Sequence, residues 1–120
     1  MNKEPSIFLM HILDTINLIL NSFQVISKEE FKKNDLLRDA TIRRIEVIGE
    51  AVKNLPMDFR EKYNNLPWKE IAGMRDKLMH HYFGVDLEKV WKTVKDDIPL
   101  LKEQVEDILK QERKVKKKNK

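Results

Sequence analysis

Cysteine is missing from this 120-residue chain. That excludes disulfides, thiolate metal sites and a cysteine nucleophile. Glycine (three residues) and proline (four) are scarce. With so few breakers and so many Leu, Ile, Lys and Glu, long helices are favoured over a sheet of short strands. No run approaches the roughly 18 uncharged apolar residues that a membrane span needs. The apolar N-terminal stretch is broken by His11 and Asp14, and no small-residue cleavage site follows it. No phosphate-cradling G-x-x-x-x-G-K-[ST] loop and no H-E-x-x-H pair occur, so nucleotide hydrolysis and zinc-protease chemistry have no carrier. A cytoplasmic protein with no membrane role fits these absences.

Apolar residues make up 41% and charged residues 37%. The length suffices for one hydrophobic core. The net charge of +4 is unevenly placed. The last eight residues, RKVKKKNK, carry six Lys or Arg and no acid; without them 18 basic residues face 20 acidic ones. The expected organisation is a helical domain over residues 1–112 and a flexible Lys-rich tail over 113–120. Such a tail can engage phosphate backbones, and equally can be a solvated end.

Periodicity predicts a first helix over residues 5–26, with Leu9, Leu13, Ile16, Leu20 and Phe23 on its inner face and Phe8, Ile12, Ile19 and Ile26 beside them. So wide an apolar zone places the helix at the centre of its bundle or against another subunit. Ser27 and Glu30 form a capping box for a short helix near residues 28–33. A long helix over 35–54 buries Leu37, Ile45, Ile48 and Val52, with Leu55 following, and its Gly49 implies a close backbone neighbour. A helical turn is expected over 57–63. Pro67 opens a further helix running to Tyr82, with Gly84 as its stop. Asp86 caps the next, which carries Leu87, Val90, Trp91 and Val94 and is broken or kinked by Pro99 near Asp97. A last amphipathic helix buries Leu101, Val105, Ile108 and Leu109. No strand alternation is visible. The fold class is all-α, an antiparallel bundle of four to five main helices.

The stretch "RDKLMHHYFG", residues 75–84, concentrates chemistry. On a continuous helix Arg75 and His80 stand about 7.5 Å apart along the axis and about 140° around it, while Asp76 shares a face with His80. Asp76 would then orient the imidazole or favour its charged form. Cleavage of RNA by its own 2′-hydroxyl needs a base, an acid and a cation for the phosphorane. Histidine serves either proton-transfer role near neutral pH, and arginine grips phosphate oxygens bidentately. Two chains side by side would supply two of each. The same residues also suit a plain helix end, where a basic side chain meets the helix dipole. His80 and His81 point apart on a helix, so metal binding is disfavoured. His11 is expected to be packed or at an interface, and Trp68 and Trp91 to be core or groove aromatics.

The spacing Arg75, four residues, His80, one residue, Tyr82 resembles the R-x4-H-x-Y motif of HepT-like toxins in the HEPN superfamily. The stretches "IEVIGEAVKNLP", "PWKEIAGMRDKLMHHYFGVD" and "VWKTVKDDIPLLKEQ" resemble the family in the same order, over nearly the whole chain except the tail. This resemblance implies a homodimeric helical bundle with both motifs lining an interface cleft. It also implies a metal-independent endoribonuclease, without cofactor, acting as a toxin on RNA. The implied partner is a nucleotidyltransferase antitoxin of the MNT type, in a homodimer or a higher hetero-oligomer, which transfers AMP from ATP to the motif tyrosine. Carried over by residue, Arg75 and His80 are the catalytic pair, Asp76 the supporting polar residue and Tyr82 the adenylylation site. The competing expectation is a non-catalytic helical module that docks a nucleotidyltransferase and binds nucleotide or RNA.

Overall fold

Two long helices, α1 (Pro5–Ser22) and α3 (Asp35–Lys53), pack side by side, and α8 (Ile98–Lys118) packs on α1. The computed structural model describes residues 4–80 and 84–118, without the side chains of His80 and of residues 116–118. Between the long helices the chain makes α2 (Lys28–Lys32), α4 (Met57–Lys62), α5 (Trp68–Ala72) and α6 (Met74–Lys77). A hairpin of two-residue strands, β1 (Met79–His80) and β2 (Gly84–Val85), then leads to α7 (Leu87–Lys92). The fold class is all-α, as the composition and periodicity predict.

The α1 stripe is rotated relative to expectation. Leu9, Ile12, Ile16 and Ile19 are fully buried, whereas Leu13 and Leu20 are only partly so. The helix also stops at Ser22, four residues before the expected Ile26. Side chains from elsewhere take over the carbonyls at this end: Arg44 Nη1 donates to Ser22 Oγ at 2.9 Å and reaches Leu18 O, and Lys95 Nζ donates to Phe23 O at 3.3 Å. Phe23, released from the helix, joins Phe31 and Trp91 with ring centroids 5.2 and 5.8 Å away. Both tryptophans thus pack against the core, Trp68 buried and Trp91 half-buried.

The caps follow local chemistry. Ser27 and Glu30 close both hydrogen bonds of the capping box. Asn34 accepts from Leu37 N–H, and Asp86 from Lys89 N–H. Glu88, in the first turn of α7, takes Lys28 at 2.5 Å and also Lys32, tying α2 to α7. Hydrogen bonds from Lys28 and then Lys32 hold its carboxyl below the ordinary carboxylate range. Pro99 does not break the chain. The backbone widens into a π-helical turn, Thr93–Asp97, between α7 and α8. Pro99 has no N–H for the Lys95 carbonyl and its ring crowds that carbonyl in a regular α-helix, and the wider turn relieves the conflict. The helical backbone of α8 continues into the basic run as far as Lys118.

One contact sets the spacing of the whole motif region. A Cβ on Gly49 would sit 2.8 Å from the carbonyl oxygen of Ala72, so α3 and α5 touch backbone to side-chain-free backbone. Trp68 secures the other end of α5: its indole N–H donates to the carbonyls of Arg60 (3.1 Å) and Tyr63 (3.0 Å). We expect Trp68→Phe to cost about 1–3 kcal/mol, from the two lost indole hydrogen bonds and lost ring volume, with the Tyr63 carbonyl keeping the Leu66 N–H. A urea midpoint unchanged in that variant would show that the indole N–H does not hold the α4–α5 link.

Candidate active site

The expected single helix over residues 67–82 is absent; the chain breaks twice within it. Gly73, the poorest helix former in the interior of the segment, separates α5 from α6. The single turn of α6 ends in short i→i−3 bonds, Asp76 N–H to Gly73 O and Leu78 N–H to Arg75 O. From Met79 the backbone is extended, pairing Met79 with Val85 and His80 with Gly84, and Asp86 N–H closes onto Leu78 O at 2.7 Å. Gly84, the expected helix stop, is instead the first residue of β2, at φ 79°, where a Cβ is disfavoured. The helical separation between Arg75 and His80 therefore does not apply, nor does the shared face of Asp76 and His80. Arg75 and Asp76 ride on α6, whereas His80 lies on β1. The His80 side chain and the whole of Tyr82 lie outside the described residues.

Arg75 is held by carboxylates on both sides. Its side chain is 41% exposed, and its Nε lies 3.2 Å from Glu46 Oε2 on α3. Its Nη1 is 3.6 Å from the strongly exposed Asp76 carboxylate, beyond direct hydrogen-bond range. The other oxygen of Glu46 accepts from Arg43 Nη1 at 2.5 Å. One carboxylate thus ties two guanidinium groups together, each with donors left over. Sequence reading missed Glu46. Its spacing of three from Arg43 on one helix face was visible, but the link to Arg75 spans 29 positions and needs the α3–α6 packing.

Beside this cluster a groove of about 320 Å³ runs between α1 and α3, lined by Phe8, His11, Arg43, Val47 and Glu50 among others. His11 is exposed there, not packed into the core. Along α1, Ile7, Met10 and Leu18 are each about half exposed. Among the described residues no three His, Asp or Glu side chains gather as metal ligands would, and no helix is long and apolar enough to cross a membrane.

Known proteins resemble this chain closely. A Caldanaerobacter subterraneus protein, provisionally named an RNase, is 50% identical over 92% of this chain and 99% of its own length. A Thermococcus cleftensis protein named a probable ribonuclease HepT is 44% identical over 92% of this chain and 100% of its own. A Methanocaldococcus jannaschii protein, named a gamma-glutamylcyclotransferase and, provisionally, an RNase, is 53% identical over 92% of this chain. The chain spans only half the length of that protein. No solved structure matches. The sequence pattern described as ribonuclease HepT-like matches residues 12–108, taking in α3, the Arg75 turn and the hairpin, and the chain belongs to that family.

Proposed function

We propose that this protein is the toxin of a type II toxin–antitoxin pair, a cytoplasmic, metal-independent endoribonuclease whose site forms between two copies of the chain. The observation that carries the reading is the position of the R-x4-H-x-Y run inside the ribonuclease HepT-like match, with Arg75 held half-exposed by Glu46. In this reading the 2′-hydroxyl of the substrate attacks the adjacent phosphorus. The O2′–P bond forms, the P–O5′ bond breaks, and histidine takes the 2′-proton and delivers one to the departing 5′-oxygen. The products are a 2′,3′-cyclic phosphate and a 5′-hydroxyl. Arg75 grips the non-bridging oxygens as charge grows on them. His80 of each chain supplies one proton-transfer group, and Asp76 supports the site.

The pairing of two chains is supported by the half-exposed Ile7, Met10 and Leu18 on α1, which share a face with the exposed His11 and Asp14 beside the α1–α3 groove. The antitoxin is an MNT-type nucleotidyltransferase. The Tyr82 phenol oxygen attacks the α-phosphorus of ATP, pyrophosphate leaves, and AMP stays on the tyrosine. The added bulk and negative charge repel RNA and offer Arg75 a competing phosphate.

Purified protein incubated with labelled RNA in excess EDTA is expected to yield cyclic-phosphate ends, and His80→Ala to leave the RNA intact. Intact RNA with the parent protein, alongside preserved binding to the nucleotidyltransferase, would favour the docking module. With ATP and that partner, intact mass should rise by one AMP per chain, and Tyr82→Phe should abolish the increment.

A further inference from the structure

We propose that Arg43 is a second phosphate-binding residue, set beside Arg75 by the Glu46 carboxylate; the inference rests on the ribonuclease reading above. Arg43 and Glu46 stand three residues apart on one face of α3 and are joined at 2.5 Å. Glu46 then reaches Arg75 Nε at 3.2 Å. Each guanidinium commits one edge to the carboxylate and keeps further donors of its planar fork available. Arg43 is 69% exposed, so those donors face water.

Stability does not explain the arrangement, because ion pairs this exposed contribute little to folding. What the bridge fixes is position. The nearby acids do not compete closely for Arg43. Asp76 lies beside Arg75, and Glu50 pairs with Lys53 at 3.7 Å. Arg43 also lines the α1–α3 groove, beside Phe8, His11 and Val47. RNA carries a phosphate at every nucleotide. A cation held next to the one at the scissile bond is placed to grip a neighbouring phosphate and fix the register of the strand. In this arrangement Glu46 is a positioning residue and Arg43 a binding residue.

The test uses the full-length protein in the His80→Ala background, so that RNA is bound and not cut, with a fluorescein-labelled single-stranded RNA of mixed sequence titrated at several salt concentrations. Adding Arg43→Ala should weaken binding several-fold and reduce the slope of log K against log salt by about 0.7, the counterion release of one single-strand phosphate contact. Arg43→Lys should restore most of the slope. In the cleaving protein Glu46→Gln should lower kcat about ten- to hundredfold and raise KM several-fold, because both guanidinium groups lose the carboxylate that places them. Glu46→Asp should recover part of that rate. An Arg43→Ala slope equal to that of the background would overturn the proposal while leaving the cleavage result in EDTA standing. A background protein that binds no RNA would overturn it together with the reading it rests on.

Discussion

Arg75→Lys is expected to slow single-turnover RNA cleavage by about 10²-fold and Arg75→Ala by about 10³-fold, at saturating protein, with the folded state intact. The size follows from the role proposed for the guanidinium. Removing one well-placed donor to a developing oxyanion costs about 10²- to 10³-fold. Lysine keeps the charge but loses the planar fork, and with it the simultaneous grip on two phosphate oxygens. Lysine also loses the Nε contact to Glu46, so its ammonium is free to wander from the position that the carboxylate enforces. Stability should hardly change. Arg75 is 41% exposed and its ion pairs are solvated, so the urea midpoint should move by less than about 0.5 kcal/mol equivalent. Parent-like cleavage by Arg75→Ala would remove Arg75 from the reaction. Parent-like cleavage by Arg75→Lys would mean that charge alone suffices and the fork is idle.

Caps, close approaches and the inner faces of α3 and α8 were legible in the sequence; the direction of the α1 face was not. Ser27, Asn34 and Asp86 each accept from the backbone N–H three residues on, so local order decides their role. Sequence reading identified two of these three caps. Gly49 was readable because a glycine in the middle of a good helix carries a cost that only a close neighbour offsets. The α8 face was also readable, since Leu101, Val105, Ile108 and Leu109 form one narrow stripe. On α1 apolar residues cover more than one stripe, and periodicity cannot choose between Leu13 and Ile12; contacts with α3 and α8 choose. The end of α1 depends on Arg44 and Lys95, which lie 22 and 72 residues from their acceptors.

The motif region failed for a related reason. Arg75 to Tyr82 reads as helix because no proline or glycine interrupts it. Strands of two residues carry no alternation to detect. The catalytic candidates were nonetheless recognisable, since motif spacing survives a change of backbone conformation. Their supporting residue Glu46 was not, because it meets Arg75 only through tertiary packing.

That packing makes Gly49 the second position where a large effect is expected. Gly49→Ala would gain about 1 kcal/mol of helix propensity in an unhindered helix. Here the new Cβ meets the Ala72 carbonyl oxygen at 2.8 Å, and the obstacle is backbone, which cannot swing aside as a side chain would. Overpacking of this kind costs about 1–3 kcal/mol, so the alanine variant should be less stable by up to about 2 kcal/mol. Gly49→Val adds two further carbons at the same contact and loses helix propensity as well, and should cost about 3 kcal/mol or more. The catalytic readout separates this site from an ordinary core defect. Gly49 lies three residues from Glu46 on α3, and Ala72 lies three residues before Arg75. Pushing α5 away from α3 therefore stretches the Glu46–Arg75 contact directly. At a temperature where Gly49→Ala is still fully folded by circular dichroism, its kcat should fall about tenfold or more. A control truncation in another core cluster, such as Phe31→Ala on α2 beside Phe23 and Trp91, should be destabilised yet keep its kcat when folded. If Gly49→Ala instead cleaves RNA at the parental rate while folded, the α3–α5 spacing does not govern the placement of Arg75.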